Sequence, residues 1–319
     1  MADDPPAPAP VPPAVTSAAP GASARARPGR LGVGVVGAGR VGAVLGNALR
    51  AAGHTVVGVS AVSAASRDRA EAMLPGVPVL EVPEVVERSE LVLLTVPDDV
   101  LAPLVEGLAA TGAWVPGQLV VHTAGRYGWR VLQPVVAAGG IPLAVHPAMT
   151  FTGTGLDLSR LAGCCFAVTA PGPVLPIAAA LVVEMGGDPV VVAEEDRPLY
   201  HAALAHGANH LVTLVAQALE ALAAAGVERG GAMLGPLLSA ALDNALARGD
   251  AALTGPVARG DAGTVGEHLQ ALDAGASADT AAVYRVLARA TAQRALASGR
   301  LKPADAESLL GVLSGPTGG

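Results

Sequence analysis

Short apolar runs that contain many β-branched residues recur through the first two thirds of the chain. They lie at residues 33–36, 54–62, 91–96, 119–122, 142–145, 166–169 and 189–193, with a shorter run at 77–79. Apolar residues at helical spacing follow several of these runs, as Val41, Val44 and Leu45 do after the first. Apolar strands that alternate with helices predict an α/β fold with a doubly wound parallel sheet.

Beyond Glu194 the strand signals cease. Helical spacing covers residues 199–225, 232–247, 264–272, 278–298 and 303–312, which predicts an all-helical C-terminal domain. The first 29 residues are mainly Pro, Ala and Ser, and we expect them to be disordered. The predicted organisation is therefore a tail at 1–29, a sheet domain at 30–193, a helical domain at 194–312 and a flexible tail at 313–319.

A glycine-rich stretch, LGVGVVGAGRVGAVLGNALR at residues 31–50, joins the first predicted strand to the first helix. Its three glycines have the spacing G-x-G-x-x-G, which permits a tight turn, a close approach of a pyrophosphate and close packing of helix on strand. The phosphate then lies at the helix N-terminus. Because a strand precedes the motif and a helix follows it, we predict a Rossmann-type dinucleotide site. Its expected residues are Gly37, Gly39, Arg40, Val41 and Gly42.

The end of the second predicted strand indicates which nicotinamide cofactor binds. An NAD site usually has an acidic residue there, which binds the ribose 2′-hydroxyl. This chain has Ser60 at the strand end, followed by Ser66, Arg67 and Arg69. Hydroxyl and guanidinium groups suit a 2′-phosphate, so we predict NADP(H). The alternative is that the two arginines only solvate the start of a helix.

Polar residues stand at the ends of three later strands. Thr95, Pro97 and Thr123 are expected to shape the cofactor groove. His122 and His146 each follow an apolar run, which would place both imidazoles at the nicotinamide end of the cleft. For either histidine the alternative is a hydrogen-bonded structural role.

The helical domain begins with LYHAALAHGANHLVT. His206, Asn209, His210 and Thr213 are spaced to share one face of a helix, and His201 lies about two turns before Asn209. Such a polar face must meet a ligand or another polar surface. We take Asn209, His206, His201 and His146 as the candidate catalytic residues, and we expect His210 to be a bystander on this face.

The segment LTGPVARGD, residues 253–261, connects two predicted helices. In one interpretation it closes over a substrate carboxylate, with Thr254 and Gly255 in the turn and Arg259 as the charge partner. In the other it is only a connection, with Asp261 as the N-cap of the next helix.

Composition narrows the classes of function. The net charge of −7 and the pI near 5.5 argue against a nucleic-acid partner. Cys164 and Cys165 are adjacent, so they have neither disulfide-framework nor metal-ligand spacing, and we expect small apolar residues in a strand and no metal. We found neither a membrane-spanning run nor a secretory signal, and therefore expect a cytoplasmic protein.

Several motifs in order carry a family resemblance: GAGRVG, TVPDD, HTAG, HPAMTF, YHAALAHGANH and LTGPVARGD. From residue 31 to about 310 the chain resembles Rossmann-like proteins that have a C-terminal helical domain of unknown function. These are relatives of pyrroline-5-carboxylate reductase, 6-phosphogluconate dehydrogenase and ketopantoate reductase. The resemblance implies a helical domain like the C-terminal domain of 6-phosphogluconate dehydrogenase.

The resemblance also implies roles for particular residues. The 6-phosphogluconate and ketopantoate enzymes use a lysine and, four residues later, an asparagine; Asn209 matches the asparagine, but Ala205 stands in the lysine position. His206 or His201 is then the substitute proton donor. LTGPVARGD lies where pyrroline-carboxylate reductases have a substrate loop, and those enzymes build the site between subunits. A homodimer through the helical domain is therefore implied.

Together these features predict an NADPH-dependent reductase of a small carboxylate-bearing oxo or imino compound, with Arg259 holding the carboxylate. Ketopantoate is the first candidate substrate and pyrroline-5-carboxylate the second. One alternative is a non-catalytic NADP(H)-binding sensor or regulatory protein that has lost the lysine. Another is a structural dimer without a ligand.

Overall fold

The computed structural model describes residues 30–314, which divide into two compact units. The first unit ends at His201, and the second begins at Ala202. The tail expected at 1–29 lies outside the described residues, as does most of the tail expected at 313–319. Leu313 and Ser314 belong to the last helix.

Within the described part of the first unit, one seven-stranded sheet is flanked by helices. Its strands are β1 (Gly32–Val36), β2 (Thr55–Ser60), β3 (Leu91–Leu94), β4 (Leu119–His122), β5 (Ile141–Pro147), β6 (Cys165–Thr169) and β7 (Asp188–Val191). Its helices are α1 (Arg40–Ala52), α2 (Ala64–Met73), α3 (Val82–Glu87), α4 (Asp98–Ala110), α5 (Gln133–Ala137), α6 (Leu156–Leu161) and α7 (Leu175–Glu184). α8 (Arg197–Leu204) follows them.

The strand order is β2-β1-β3-β4-β5-β6-β7, and the strands from β2 to β5 are parallel. The short run expected at 77–79 contributes one parallel bridge, Val59 to Val79, on the outer side of β2. From β1 the chain first adds β2 on one side and then β3 on the other, so the order of the strands reverses between β1 and β3. In such sheets ligands bind at this point, outside the carboxyl ends of the strands. The glycine motif follows β1 there.

The sheet is mostly parallel, as the sequence predicts, and departs from that arrangement only at its far edge. β6 runs antiparallel to β5, with Ala167 opposite His146, and β7 is parallel to β6. The connection from β5 to β6 contains only the six-residue helix α6. A helix of that length is too short to carry the chain back along the sheet, so the next strand returns in the opposite direction. The predicted α/β fold itself is confirmed.

Both faces of the sheet are covered. Val33, Val35 and Leu93 belong to one apolar cluster, which also contains residues of α1 and α7. Val36 and Leu94 belong to the cluster on the other face, with residues of α3 and α4. Alternate residues of each strand thus point into different layers, and this explains the nearly continuous apolar runs in the sequence.

The second unit is helical, as predicted. Its helices are α9 (His210–Ala224), α10 (Gly230–Arg248), α11 (Gly255–Arg259), α12 (Ala262–Gly275), α13 (Ala278–Ala297) and α14 (Pro303–Ser314). Its core is built from small and aliphatic residues of α11 to α14, such as Ala288, Ala292, Ala295 and Leu309. None of the helices in the described range is both long and apolar enough to cross a membrane.

The helix expected at 199–225 contains an irregularity. A π-helical turn, Ala205–Asn209, separates α8 from α9. A π turn adds a residue to one turn and changes the direction in which later side chains point. The regular spacing assumed for His206, Asn209 and Thr213 therefore does not hold along this helix.

Candidate functional site

The glycine loop after β1 is held from both sides by neighbouring strand ends. Ser60, at the end of β2, accepts a hydrogen bond from the Gly37 N–H at 2.9 Å. Thr95, just after β3, donates its hydroxyl to the Gly37 carbonyl at 2.6 Å. Gly37 has φ +97°, which favours glycine. A Cβ atom on Gly42 would lie 2.2 Å from the Gly37 carbonyl oxygen, so α1 approaches the loop closely.

Gly39 differs from the other two glycines because internal packing does not require it. A Cβ atom built there would have the Thr95 carbonyl oxygen, at 3.9 Å, as its nearest described neighbour. Gly39 is the N-cap of α1, and within the described residues no side chain caps this helix and no acidic residue lies in its first turn. Open space over free N–H groups at a helix N-terminus fits a pyrophosphate.

The polar residues after β2 have distinct positions. Ser66 donates its hydroxyl to the Ser63 carbonyl at 2.7 Å, where Ser63 is the N-cap of α2. Arg67 is exposed, with a long contact of 3.4 Å from Nε to the Ala61 carbonyl. Arg69 instead turns back and donates from Nη1 to the Ala38 carbonyl at 3.0 Å, beside the glycine loop. Of these two arginines, Arg67 is therefore the one whose guanidinium is free to bind an anion.

A loop that sequence reasoning missed lies against Arg69 and Arg40. A Cβ atom on Gly153 would lie 2.8 Å from Arg40 Cγ and 2.8 Å from Arg69 Nε. The buried carboxylate of Asp157 shapes this loop by accepting from the N–H groups of Thr152 and Gly153 at 2.8 and 2.7 Å. The loop forms a second wall beside Arg40.

Pro97 and Thr123 lie at the same edge of the sheet. Pro97 is the N-cap of α4. The Thr123 N–H donates to the Leu94 carbonyl at 3.3 Å, which aligns the ends of β3 and β4. Val41 is half-buried in the first turn of α1.

His122 was expected at the nicotinamide end of the cleft, but its side chain does not reach it. Its side chain is completely buried, its Nδ1 accepts the Ala124 N–H at 3.2 Å, and its Nε2 lies 2.8 Å from the Gly128 carbonyl. Burial lowers the pKa of His122 to about 4, against the opposing effect of the bond to Gly128. The neutral ring therefore fixes the loop after β4, and both nitrogens are already used within the chain. The structural alternative for this histidine fits the geometry.

His146 lies beside a residue that sequence reasoning missed. The Tyr200 hydroxyl is 2.8 Å from His146 Nδ1, and the two rings meet edge to face. The His201 ring is also perpendicular to His146, with 6.1 Å between ring centroids. Burial, followed by the positive charges of Arg197 and of His201 when protonated, lowers the pKa of His146 to about 4. The His146 ring is thus neutral at neutral pH, with Tyr200 and His201 around it.

Arg197 is the second residue that sequence reasoning missed, and it lies beneath the cluster of His146, Tyr200 and His201, on the side of the sheet backbone. Its side chain is completely buried, and Nη2 donates to the carbonyls of Ala144 and Ala167 at 3.1 and 3.0 Å. Nε donates to the Thr169 hydroxyl at 2.7 Å. Burial lowers the pKa of Arg197 to about 10, so the guanidinium stays charged at neutral pH. No sequence pattern marks Arg197, because its partners include backbone carbonyls of β5 and β6, which any residue type provides.

In the second unit, His206 and His210 lie together, with 3.2 Å between their Nδ1 atoms. Both line an apolar groove of about 540 Å³, along with Thr213 and residues of α13. Asn209 is exposed and is not among the residues that line this groove. The π turn explains the separation, because it breaks the regular spacing that would have placed Asn209 with them.

The LTGPVARGD segment contains the short helix α11. Asp261 caps α12, accepting from the Thr264 N–H at 3.1 Å and from its hydroxyl at 2.7 Å. Thr254 lines a cavity of about 590 Å³ between α9, α12 and α13, whereas Gly255 and Arg259 do not. Arg259 is exposed. Among residues 30–314 no three His, Cys, Asp or Glu side chains lie close enough together to hold a metal ion.

Solved structures with the same fold include several oxidoreductases. A proposed NADP oxidoreductase from Bacteroides fragilis is 22% identical, covers 83% of this chain and 98% of its own, and has a TM-score of 0.68. An imine reductase from Myxococcus stipitatus in complex with NADP⁺ is 20% identical, with 88% and 99% covered and a TM-score of 0.60. A reductive aminase from Aspergillus terreus is 17% identical, with 85% and 95% covered and a TM-score of 0.59.

Family models match both parts of the chain, whereas no protein of curated function matches it. Residues 17–147 match the Rossmann-like domain. Residues 164–291 match the domain of unknown function DUF2520. The chain is therefore a Rossmann-like protein with a DUF2520 C-terminal domain.

Proposed function

We propose that the protein is an NADP(H)-dependent reductase of a small oxo or imino compound that carries a carboxylate. The observation that carries this proposal is the glycine loop, which Ser60 and Thr95 hold in place while Gly39 leaves open space over the N-terminus of α1. That arrangement suits a dinucleotide pyrophosphate. NADPH, when bound, supplies a hydride to a carbonyl or imine carbon.

We assign the cofactor phosphates to this loop. Gly37, Gly39 and Gly42 accommodate the pyrophosphate, with Arg40 beside it. Arg67 is the residue assigned to the 2′-phosphate, because its guanidinium is exposed just beyond β2. The imine reductase from M. stipitatus is in complex with NADP⁺, which supports the choice of cofactor.

The reacting groups are assigned to the ends of β4 and β5. His146 and His201 lie there with perpendicular rings, and Thr123 aligns the neighbouring strand end. His146 is only partly buried, so it can contact a ligand. In the second unit we retain Asn209, His206, Thr254, Gly255 and Arg259 as candidates for substrate contacts, on the family resemblance alone.

The substrate class follows from two sources. The neighbours from M. stipitatus and A. terreus are an imine reductase and a reductive aminase, and this supports a C=N or C=O substrate. The family resemblance adds ketopantoate and pyrroline-5-carboxylate, which both carry a carboxylate. We test ketopantoate first and cyclic imines second.

We also propose a homodimer formed through α9 and α10. No residue of α9 is buried, and Gly230 is the only buried residue of α10. On α10, Met233 and Leu237 lie one turn apart on one side, whereas Leu242 and Leu246 lie on nearly the opposite side. A helix that is apolar on two sides requires cover on both. A second copy presents the same apolar helices and the same groove, and it provides that cover.

A substrate panel tests the proposed function. NADPH oxidation is followed with ketopantoate, other 2-oxo acids, pyrroline-5-carboxylate and further cyclic imines. We expect saturable turnover with at least one compound, and a loss of about 10-fold or more in kcat for Asn209→Ala. Gln270→Ala, which removes an exposed amide from α12, is the matched control and should keep its activity. Undiminished turnover in Asn209→Ala would remove that residue from the site.

One observation favours a second candidate function. Ala205 stands where the related dehydrogenases have a lysine, so the chain lacks their usual proton donor. A non-catalytic NADP(H) sensor would bind NADPH tightly and turn over none of the panel. Tight binding without turnover would favour the sensor hypothesis over the reductase hypothesis.

A further inference from the structure

The contact between Tyr200 and His146 determines what the imidazole can bind. The Tyr200 hydroxyl lies 2.8 Å from Nδ1, so one of the two atoms donates a proton to the other. Because burial and the charge of Arg197 keep the pKa of His146 at about 4, the ring is neutral near pH 7 and has one N–H. The bond at Nδ1 then decides which nitrogen carries that hydrogen.

Tyr200 is the better donor of the pair. A phenol hydroxyl donates readily, whereas the Nδ1 lone pair of a neutral imidazole is a strong acceptor. The guanidinium carbon of Arg197 lies 5.8 Å from the centre of the Tyr200 ring. Burial raises the pKa of Tyr200, against the opposing effect of the Arg197 charge, so the hydroxyl keeps its proton and can donate it in a hydrogen bond to Nδ1. The hydrogen of the imidazole is therefore on Nε2.

The Nε2 atom is open to a ligand. Among the described residues it has no hydrogen-bond partner. Every side-chain nitrogen or oxygen of these residues that is sealed from solvent does have a partner, so Nε2 must be accessible to solvent. Gly125 borders this edge of the ring, because a Cβ atom built on it would lie 3.0 Å from His146 Nε2. The same Cβ atom would lie 2.5 Å from Cδ2 of His201. The absence of a side chain at position 125 thus keeps the N–H accessible.

We propose that Tyr200 holds His146 as a fixed hydrogen-bond donor, and that its Nε2–H binds a carbonyl or carboxylate oxygen of the substrate. Tyr200 and Arg197 act as positioning residues, and Gly125 keeps the donor exposed. An acceptor atom with a lone pair fits this site. A quaternary iminium nitrogen has no lone pair, so it makes no bond with Nε2–H.

Charge favours the same ligand class. Arg197 contributes a buried positive charge, and the carboxylate of Glu194 acts on that charge. The Glu194 carboxylate is itself bound by the N–H groups of Trp129 and Arg130 at 2.9 and 3.2 Å. His122 and His146 are neutral. The positive charge of the Arg197 guanidinium, beside a neutral His146, favours an oxygen that becomes negative during hydride addition.

The arrangement also supplies the proton for a ketone reduction. NADPH, when bound, would supply a hydride to the carbonyl carbon, and the carbonyl oxygen would then need a proton. His146 Nε2 gives its proton to that oxygen, and Nδ1 takes the hydroxyl proton of Tyr200. The imidazole stays neutral, while the tyrosinate beside Arg197 regains a proton from water. The role of the bound oxygen as substrate rests on the proposed reductase function, whereas the donor state of His146 does not.

Nitrogen NMR of the full-length protein tests the donor state without substrate or cofactor. Protein with ¹⁵N-labelled histidine is examined at pH 7, and the His146 signals are assigned by their loss in His146→Gln. We expect a neutral ring with hydrogen on Nε2 and an Nδ1 signal shifted by the Tyr200 bond; the shift should disappear in Tyr200→Phe. A hydrogen on Nδ1, or a charged ring, would overturn the proposal.

Turnover tests the ligand class with the best substrate from the panel. We expect Tyr200→Phe and Gly125→Ala to lower kcat by about 10-fold or more, with the KM for NADPH unchanged. Gln270→Ala, which removes an exposed amide from α12, is again the control and should keep its turnover. Turnover of an N-methylated cyclic iminium that carries no oxygen acceptor, at the rate of the best carbonyl or carboxylate substrate, would overturn the ligand class. Failure of every substrate would reject the proposed function, while the nitrogen spectrum would still decide the donor state.

Discussion

The Thr95 hydroxyl donates to the Gly37 carbonyl at 2.6 Å and so joins the end of β3 to the glycine loop. The bond crosses the point at which the strand order reverses, where a dinucleotide is expected to lie. Thr95 thereby couples the stability of the first unit to the shape of the proposed phosphate site.

Thr95→Val should weaken both properties. The valine retains the shape but leaves the partly buried Gly37 carbonyl without this donor, so we expect the free energy of unfolding to fall by about 1–3 kcal/mol. NADPH affinity should fall with it, because the loop is less well held. Urea unfolding and calorimetric titration measure the two effects. Thr95→Ser keeps a hydroxyl and should resemble the wild type; equal behaviour of the valine variant would argue against this coupling.

Gly39→Ala separates cofactor binding from folding. The backbone at Gly39 has φ −69° and ψ −173°, and its Cβ position is open, so alanine fits without strain. We expect stability to be unchanged or raised by about 0.4–1 kcal/mol, while NADPH binding weakens by about tenfold or more because the methyl group occupies the phosphate position.

Gly42→Ala is the contrasting variant for that experiment. Its Cβ atom would lie 2.2 Å from the Gly37 carbonyl oxygen, so we expect a loss of about 1–3 kcal/mol in the free energy of unfolding. Full NADPH affinity in Gly39→Ala would show that the pyrophosphate lies elsewhere.

Much of the fold could be predicted because burial on both faces of a sheet leaves a clear record in the sequence. The runs at β1 and β3 are apolar at successive positions, and the glycine motif marks where the first helix begins. The direction of β6 could not be predicted in this way, because side-chain alternation is the same in parallel and antiparallel strands. The π turn at Ala205–Asn209 also escaped prediction, since backbone irregularities have no hydrophobic period.

The candidate site was harder to predict than the fold. His146 and Tyr200 are separated by 54 positions, and only the folded sheet brings them within 2.8 Å. Arg197 could not be identified because its partners include the backbone carbonyls of Ala144 and Ala167, which any residue type provides. His122 and His146 looked equivalent as histidines at strand ends, but burial and the Gly128 carbonyl separate them.

The lowered pKa of His122 predicts that the free energy of unfolding falls in mild acid. Its folded pKa of about 4 lies below the ordinary value of 6.5, so the unfolded chain takes up the proton first as the pH falls. The neutral His122 therefore contributes fully to the free energy of unfolding above about pH 6.5, and this contribution is lost as the pH falls to about 4. The full difference corresponds to about 3 kcal/mol.

Urea unfolding at pH 7.5 and 4.5 measures this effect, followed by the fluorescence of Trp114 and Trp129, which both lie in the first unit. In His122→Asn, which cannot titrate, the loss between these two pH values should be smaller than in the wild type. The same loss in both proteins would show that His122 is not the group responsible.

The proposed dimer predicts that charges on α10 separate the subunits. Leu242→Glu with Leu246→Glu places two carboxylates on one exposed apolar side, and burying them in an interface is costly. We expect the wild type to sediment as a dimer and the double variant as a monomer. Leu156→Glu, a change at an exposed leucine of the first unit, should remain dimeric. A wild-type monomer at micromolar concentration would rule out the assembly.

The most direct test of the account is calorimetric titration of NADPH and NADH into the wild type and into Arg67→Ala with Arg69→Ala. We predict one NADPH per chain, bound about tenfold or more tightly than NADH, because a guanidinium pairs with the 2′-phosphate. The double variant should lose that preference, while Arg88→Ala, which breaks only the exposed pair with Glu84, should keep it. Failure of the wild type to bind either nucleotide, or unchanged NADPH affinity in the double variant, would contradict the account.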